Sequence, residues 1–359
     1  MAQQSSASRQ GILLVNLGSP QAPTPKAVKP YLDEFLMDER VIDVPPLLRN
    51  LLVRGIILNF RPKKSAEAYR SIWWDEGSPL LVLSERLQAA VQAQTDLPVG
   101  LGMRYGQPSI HSAVGQMCEQ HPQLEELLLV PLYPHYAMSS YETVVVKARE
   151  VVEAHFSHLK MKVLPAFYHR EAYQKLLAES IRPSVEKGVD HLLFSYHGVP
   201  ERHIRKGDIT GAHCLKVDNC CDKCSPAHDH CYRHQTLATT EAVAQHLGLA
   251  PAQYSSSFQS RLGSDPWLQP FTDKTVGALA RKGVKKLAVV CPAFVSDCLE
   301  TIEEIGEEAK EIFEENGGEE FTLIPCLNDR TDWAQLLAQM AHEELAHTAP
   351  SVPEPERLY

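Results

Sequence analysis

Five of the nine cysteines lie within one short segment of this 359-residue sequence. They are Cys214, Cys220, Cys221, Cys224 and Cys231, and three histidines lie among them, His213, His228 and His230. The CDKC tetrapeptide at 221–224 has a spacing that lets two thiolates reach one metal ion. Because the chain is long and we expect no export signal in it, metal binding is favoured over a disulfide framework. Zinc and an iron–sulfur cluster both suit these residues, and a loop with reduced free thiols is the structural alternative.

A histidine follows a predicted strand, in the segment SYHGVP (195–200). His197 comes after the apolar run 191–194, and Gly198 and Pro200 can shape a turn behind it. An imidazole at a strand end can act as a base or as a metal ligand near neutral pH. A histidine taken alone is more often structural, so its neighbours must decide between the two.

Carboxylates recur at intervals of four residues after the apolar run 286–290, at Glu300, Glu304 and Glu308. On a helix this spacing places the three side chains on one face. Like charges stacked in this way repel unless solvent, protons or cations relieve them. A solvated acidic face is one interpretation. A path for a hard cation or for protons is the other, and the position of Glu300 just after a strand favours it.

Eight short apolar runs must position these groups, and each is followed by Gly, Pro or polar residues and then by a possible helix. They are 12–15, 98–102, 127–130 and 161–164 in the first half and 191–194, 254–258, 286–290 and 321–324 in the second. Strands that alternate with helices predict parallel sheets covered on both faces. We therefore predict an α/β fold of two similar, doubly wound (Rossmann-like) domains with four-stranded parallel sheets. The active-site cleft is expected between the domains, beyond the carboxyl ends of the strands.

The same pattern sets the predicted domain boundaries. We expect a disordered lead at 1–10, an N-terminal domain at 11–170, a C-terminal domain at 171–345 with a cysteine-rich insertion at 209–231, and a tail at 346–359. Both halves contain a Glu-Thr pair after a strand, Glu142-Thr143 and Glu300-Thr301. This local similarity favours an ancient duplication, although βαβ units also look alike by pattern alone.

The segment 41–64 combines many aliphatic residues with basic ones, Arg49, Arg54, Arg61, Lys63 and Lys64. It could pack on its own domain, form an apolar lip around a hydrophobic ligand, or lie on an anionic bilayer surface. The whole chain has 35 basic and 45 acidic residues and a net charge of −10, which argues against a nucleic-acid-binding protein. Because no apolar stretch approaches the roughly 20 residues of a membrane span, we expect a cytoplasmic protein that could be peripheral at the inner face of the membrane.

Seven sequence blocks together resemble the ferrochelatase family, from about Gly11 to Leu336. In chain order they are VNLGSP (15–20), SIWWDEGSPL (71–80), GMRYGQPSI (102–110), PLYPHY (131–136), SYHGVP (195–200), SFQSRLGSDPWLQPFTD (257–273) and CPAFVSDCLETIEEI (291–305). The resemblance implies an enzyme that inserts Fe²⁺ into protoporphyrin IX to form protohaem and releases two protons, the last step of haem biosynthesis. A chelatase for coproporphyrin or another divalent metal, and a haem- or iron-binding sensor on the same fold, are the competing interpretations.

The resemblance also implies roles for single residues. His197 and Glu300 are expected to face each other across the porphyrin pocket as catalytic and iron-binding residues. Glu304, Glu308 and Asp297 are expected to relay protons or metal, on a helix with a π-type widening. The residues expected to line the pocket, with Tyr133 added as an aromatic wall, are Leu17, Arg104, Tyr105, Tyr133, Trp267 and Phe294.

The chemistry of these residue types fits porphyrin metallation. The reaction needs a base for the pyrrole protons, a ligand for the incoming ion and a way to bend the macrocycle. Arg104 could meet a propionate. Cys298 stands where some family members have a second histidine, which puts a relay role there in doubt.

Some ferrochelatases carry a [2Fe–2S] cluster, so the resemblance favours that cofactor over zinc. The expected ligands are Cys214, Cys221, Cys224 and Cys231, with Cys220 as a substitute.

Overall fold

The structure, a computed structural model, describes residues 9–263 and 265–347. These residues form two compact units. Unit 1 comprises the described residues within Met1–Leu132, Ser139–Pro165 and Asp329–Tyr359, and unit 2 comprises those within Tyr133–Met138 and Ala166–Asn328. No helix in the described part of the chain is long and apolar enough to cross a bilayer.

Unit 1 is built on a four-stranded parallel sheet in the order β2–β1–β3–β4. Its strands are β1 (Gln10–Asn16), β2 (Val99–Met103), β3 (Glu126–Pro131) and β4 (Lys160–Val163). Every residue of β1 after Gln10 is buried. A central parallel strand needs apolar side chains on both faces, because helices cover both. In this register Ile12 lies opposite Val99 on one side and Leu128 on the other.

The helices of unit 1 follow its strands, as the alternating pattern predicts. The first six are α1 (Pro25–Leu36), α2 (Pro46–Asn50), α3 (Leu58–Ile72), α4 (Pro79–Gln92), α5 (Ile110–Gln120) and α6 (Thr143–His155). Two stretches have the wider π-helical form, Leu51–Ile57 between α2 and α3 and Met138–Glu142 before α6.

Unit 2 repeats the sheet of unit 1 in the order β6–β5–β7–β8. Its strands are β5 (His191–His197), β6 (Tyr254–Gln259), β7 (Lys286–Val290) and β8 (Glu320–Leu323). In each sheet the first strand of the unit therefore lies between the second and the third, and the fourth strand lies at the edge beside the third. All eight predicted strands and both parallel sheets are confirmed.

The helices of unit 2 cover its sheet and carry the acidic segment. They are α7 (Glu171–Glu186), α8 (Glu201–Lys206), α9 (Tyr232–Leu247), α10 (Thr272–Arg281), α11 (Leu299–Ile302) and α12 (Lys310–Glu315). Glu304–Ala309 is π-helical, and short 3₁₀ turns occupy Cys220–Asp222, Pro226–His230 and Pro251–Gln253. Ile305 and Phe313 anchor the acidic segment in the core beside Leu193, Leu287 and Val289.

The observed units differ from the predicted boundaries at three places. The last helix, α13 (Thr331–Ala346), packs on α4 and β3 of unit 1, because its buried face includes Trp333. The short segment Tyr133–Met138 belongs to unit 2. Gln10, expected in the disordered lead, begins β1. The rest of that lead up to residue 8 and the tail from residue 348 lie outside the described residues.

The cysteine-rich insertion is a loop organised around Asp208. The carboxylate of Asp208 accepts hydrogen bonds from the amides of Thr210, His213 and Cys214, at 2.8–3.0 Å. Burial alone would raise the pKa of Asp208, but these hydrogen bonds and one from the Thr210 hydroxyl lower it to about 2. A single carboxylate therefore fixes the start of the insertion.

Candidate active site

His197 ends β5, and the backbone behind it is unusually close to β6. The amide of Gly198 donates to the carbonyl oxygen of Gln259 at 2.6 Å. A Cβ on Gly198 would lie 2.7 Å from the carbonyl oxygen of Ser260 and 2.8 Å from that of Gln259. Only glycine fits this approach, so Gly198 allows the His197 strand end to meet the end of β6.

The half-buried imidazole of His197 has a defined orientation. Its Nδ1 lies 2.7 Å from the carbonyl oxygen of Gly198. Because a carbonyl oxygen only accepts, Nδ1 carries the proton, and Nε2 is the basic nitrogen of the neutral ring. Phe294 meets the imidazole edge-on, with ring centroids 6.2 Å apart. Trp267, half-buried, lies beside Gly198, while Tyr133 is buried in the same unit.

A hydrogen-bonded turn sets the start of α11, where Glu300 lies. The buried carboxylate of Asp297 accepts the Thr301 hydroxyl at 2.9 Å and the Asn328 side-chain amide at 2.7 Å. The Thr301 oxygen in turn accepts the amide of Cys298 at 3.0 Å. With these partners, Asp297 holds the turn in place.

Glu300 is half-buried in the first turn of α11 and contacts two neighbours. Its backbone carbonyl accepts the side-chain amide of Gln259 at 2.6 Å. The thiol of Cys298 is hydrogen-bonded to its carboxylate, and burial together with the charge of Glu300 raises the pKa of Cys298 well above the usual range. Cys298 therefore stays a thiol, a donor to Glu300.

Glu304 lies at the centre of the electrostatic interactions in this site. Burial raises its pKa, and the charge of Glu300 acts in the same direction, while hydrogen bonds from Ser260 and the charge of His197 oppose both. The amide of Ser260 donates to Oε1 at 2.7 Å, and the Ser260 hydroxyl donates to Oε2. Unit 2 thus brings His197, Glu300 and Glu304 into one interacting group.

The acidic segment has the expected π-type widening. The amide of Glu308 bonds to the carbonyl of Glu303, five residues earlier, at 3.0 Å. Along the segment Glu300 and Glu304 are half-buried and Glu308 is exposed. The carboxylates therefore run from the interior of unit 2 to its surface.

Three of the expected pocket residues lie in unit 1, where Asp38 organises two of them. The phenol of Tyr105 is fully buried and donates to Asp38 at 2.9 Å. Arg104 forms an ion pair with Asp38, and its Nε donates to the Thr143 hydroxyl oxygen at 2.7 Å. Burial would raise the pKa of Asp38, but Arg104 and the Thr143 hydroxyl lower it overall. Leu17 is half-buried beside this network and accepts the amide of Tyr105 at 2.8 Å.

Arg104 also borders a cleft of about 480 Å³ in unit 1. Its charged lining residues are Asp33, Glu34, Asp38, Arg54, Arg104 and Lys147. The guanidinium expected to meet a propionate is thus already paired with Asp38, while Arg54 is paired with Asp33 at 2.8 Å near the surface.

Four residues of the site, Asp38, Thr143, Gln259 and Ser260, are not identified by the sequence alone. The Glu-Thr pair repeated in both halves is a usable signal for one of them, Thr143. In each unit its threonine hydroxyl bonds to an aspartate, Thr143 to Asp38 and Thr301 to Asp297. Gln259 and Ser260 lie inside one of the seven sequence blocks, but only the fold shows which groups they contact.

Known proteins resemble this chain over almost its whole length. The sequence profile of the ferrochelatase family matches residues 9–345. A ferrochelatase of Stutzerimonas stutzeri is 50% identical over 335 residues, which cover 93% of this chain and 97% of the relative. One of Azotobacter vinelandii is 50% identical over 332 residues, covering 92% of this chain and 97% of the relative.

The chain belongs to the ferrochelatase family. It is therefore a porphyrin metal chelatase, as the seven blocks predict, and a haem- or iron-binding sensor on this fold is not favoured. Two solved structures share the fold of this ferrochelatase family member. SirB from Bacillus subtilis with Fe³⁺ has 12% identity and a TM-score of 0.50, covering 94% of this chain and 96% of that one. A sirohydrochlorin chelatase SirB in complex with cobalt has 9% identity and a TM-score of 0.51, covering 94% and 97%.

Four of the five clustered thiols of this ferrochelatase family member lie together. The thiol of Cys231 is hydrogen-bonded to those of Cys214 and Cys221, and Cys221 also contacts Cys220. Cys224, in contrast, is exposed. Burial raises the pKa of Cys214 to about 11, so without a metal this thiol stays protonated at neutral pH.

Two N–H groups point at sulfur in this four-thiol group. The amide of Leu215 donates to the Sγ of Cys220 at 3.5 Å, and Arg233 donates to the Sγ of Cys221 at 3.3 Å. Among residues 9–263 and 265–347, however, no group of three or more His, Cys, Asp or Glu side chains is arranged to hold a metal ion.

Proposed function

We propose that this chain inserts Fe²⁺ into protoporphyrin IX to form protohaem, with His197 and Glu300 as the catalytic and iron-binding residues. The observation that carries the proposal is the group formed by His197, Glu300 and Glu304 in unit 2. It combines a base at the end of β5 with one carboxylate on α11 and one at the start of the π-helical stretch. Family membership supports iron as the metal.

The reaction exchanges two pyrrole protons for one divalent iron. His197 accepts one proton at Nε2, because the Gly198 carbonyl oxygen holds the proton of Nδ1. The carboxylate of Glu304, which interacts with His197, stabilises the resulting imidazolium. Glu300 binds the iron or takes the second proton, since a carboxylate can do either. Phe294 and Trp267 would flank the macrocycle near His197.

The remaining assignments follow from position. Glu304 and Glu308 relay protons or metal between the interior and the surface, and Asp297 supports them by fixing the turn before α11. The role of lining the porphyrin pocket is assigned to Leu17, Arg104, Tyr105 and Tyr133. Because Tyr105 is buried, it would act through Arg104 and Asp38.

Steady-state insertion assays test this function on protoporphyrin and coproporphyrin, each with Fe²⁺, Co²⁺ and Zn²⁺. We expect iron insertion into protoporphyrin to be the preferred reaction. The His197→Ala variant should lose insertion and keep porphyrin binding, measured by quenching of porphyrin fluorescence. A strong preference for coproporphyrin would overturn the substrate assignment, and full activity of His197→Ala would overturn the role of the base.

We also propose that the insertion holds a [2Fe–2S] cluster through Cys214, Cys220, Cys221 and Cys231. The residue types support the proposal, because four thiols are grouped and N–H donors to sulfur lie beside them, although the described side chains do not have the arrangement of a metal site. The exposed position of Cys224 favours Cys220 as the fourth ligand. When bound, such a cluster would supply a covalent brace for the insertion. No step of iron insertion passes through it.

Iron and acid-labile sulfide analysis of anaerobically purified protein tests the cluster. Cys220→Ser should lose the bound iron and sulfide, and the matched Cys224→Ser variant should keep both. Zinc without sulfide in the wild type would refute an iron–sulfur cluster. Iron loss in Cys224→Ser alone would instead restore the ligand set expected from the sequence.

We further propose that the protein works in the cytoplasm at the inner face of the membrane and contacts it through the segment 41–64. Five of the seven large exposed apolar side chains in the described residues lie there, at Leu47, Leu48, Leu51, Ile56 and Phe60. Arg61, Lys63 and Lys64 are exposed beside them. Apolar side chains next to basic ones favour an anionic bilayer surface.

A further inference from the structure

Ser260 occupies a position that connects the two sides of the site in unit 2. It follows β6 directly, and its two hydrogen-bond donors contact the same carboxylate. We propose that Ser260 is a positioning residue for iron insertion, which holds the carboxylate of Glu304 beside His197. The inference rests on the proposed role of Glu304 in relaying metal or protons.

The backbone of Ser260 is in a conformation that side chains rarely adopt. Its φ is +58°, in the left-handed region that favours glycine. A residue with a side chain persists there only where its surroundings or its function require it. The contacts of the Ser260 hydroxyl and amide with Glu304 are such a requirement.

The left-handed turn directs both donors of Ser260 to Glu304. The amide donates to Oε1 at 2.7 Å, and the hydroxyl donates to Oε2. Because each oxygen has its own donor, the carboxylate is fixed in rotation as well as in position. Without the Ser260 hydroxyl, Oε2 would keep only the long contact from the side-chain amide of Gln259, at 3.5 Å, among its hydrogen bonds in the described residues.

Gln259, the residue before Ser260, links the same turn to the other catalytic groups. Its side-chain amide donates to the carbonyl of Glu300 at 2.6 Å, and its own carbonyl accepts the amide of Gly198. In the parallel ladder Gln259 pairs with His197. The Gln259–Ser260 turn therefore lies between the histidine strand and the helix that carries both glutamates.

Other charged or titratable groups also face Glu304, so the effect of Ser260 must be separated from theirs. They are His197 at the end of β5, Glu300 on α11, Arg261 after β6 and Cys291 after β7. None of them is changed by a substitution that removes only the hydroxyl of Ser260.

The test compares Ser260→Ala with Ser260→Gly in full-length protein. Both lack the hydroxyl, but glycine also suits the left-handed backbone, so a purely structural role predicts that Ser260→Gly behaves like the wild type. We expect both variants to lose about tenfold in kcat/KM for Fe²⁺, the effect of one charge-assisted hydrogen bond, with KM for porphyrin unchanged. Ser260→Gly should be at least as thermally stable as the wild type.

A double-mutant cycle with Glu304→Gln shows whether Ser260 acts through Glu304. In that background Ser260→Ala should cause no further loss. Ser256→Ala is the matched control, because the Ser256 hydroxyl donates to the hydroxyl of Thr240 on α9 at 3.0 Å and not to Glu304, and this variant should keep wild-type kinetics.

The outcomes separate the two proposals. Wild-type kinetics in Ser260→Gly, or an equal loss from Ser260→Ala in both backgrounds, would overturn the role of Ser260 while Glu304 keeps its own. Wild-type kinetics in Glu304→Gln would instead overturn the relay role of Glu304, and the positioning role with it.

Discussion

At the strand end that carries His197, the contacts of neighbouring backbone atoms determine the chemistry of the side chain. The Gly198 carbonyl oxygen fixes the proton on Nδ1, and the Gly198 amide ties the strand to Gln259. The basic nitrogen of His197 therefore depends on a residue without a side chain. Ser260, whose amide donates to Glu304, takes part in the same close approach, because its carbonyl oxygen would lie 2.7 Å from a Cβ on Gly198.

Replacing Gly198 by alanine should disturb both sides of the site. The new Cβ would lie within 2.8 Å of two carbonyl oxygens, so the backbone of β5 or β6 must move. We expect a loss of about 1–3 kcal/mol in the free energy of unfolding, measured by urea titration, together with a large loss of insertion activity. In Gly115→Ala, the control, the new Cβ would have its nearest contact at 3.6 Å, with Phe156, and helix propensity predicts unchanged or slightly higher stability. Unchanged stability of Gly198→Ala would contradict the structure at this point.

Asp38→Asn tests the buried ion pair with Arg104. The substitution leaves the guanidinium without its counter-charge, and we expect the free energy of unfolding to fall by about 3 kcal/mol at pH 7. In the exposed pair of Asp33 with Arg54, Asp33→Asn should cost less than about 1 kcal/mol.

The pH dependence of the Asp38 effect has a definite sign. The pKa of Asp38 is lowered by folding, so its stabilising contribution is complete above the unfolded value near 3.8 and is lost as the pH falls through the lower folded value. The difference in unfolding free energy between the wild type and Asp38→Asn should therefore be constant from pH 7 to about 5 and shrink below pH 4. A difference that grows on acidification would refute the ion pair.

Secondary structure elements are predictable where the local sequence determines them. The eight strands are short apolar runs bounded by turn residues, because parallel strands between helical layers are buried on both faces. The placement of α13 in unit 1 is not predictable, since it depends on which distant helix its buried face meets. For the same reason the sequence predicts roles for His197 and Glu300 but not for Asp38 or Ser260, whose partners are far away along the chain.

The cysteine-rich insertion depends as an element on Asp208. Asp208→Ala removes the acceptor for the amides of Thr210, His213 and Cys214, so the loop should open locally. We expect faster proteolysis within 209–231 and faster reaction of the buried thiols with a disulfide reagent, both measured at neutral pH in the metal-free protein. The control is Asp218→Ala in the same loop, whose side chain is exposed. Equal rates in the two variants would show that Asp208 does not hold the insertion.

Across the whole molecule, two units of equal strand order share one chain with a net charge of −10, yet the segment 41–64 is basic and apolar. Apolar side chains are scattered singly on most protein surfaces, and a concentration of them in one segment indicates a binding surface. Leu47 is 86% exposed and Phe60 is 77% exposed. Packing on its own domain, the first interpretation of this segment, therefore does not account for these side chains.

Vesicle flotation tests this surface on the intact protein. The wild type should bind vesicles that contain phosphatidylglycerol, and binding should weaken with salt because Arg61, Lys63 and Lys64 interact with the lipid charge. The double substitution Leu47→Ser with Phe60→Ser should lower the bound fraction at least tenfold, since inserting each of these side chains into the bilayer is worth about 1.5–3 kcal/mol. Ile209→Ser, at a 48% exposed apolar residue in the insertion, should bind like the wild type. Equal weakening by Ile209→Ser, or no binding by the wild type, would exclude the segment 41–64 as a membrane contact.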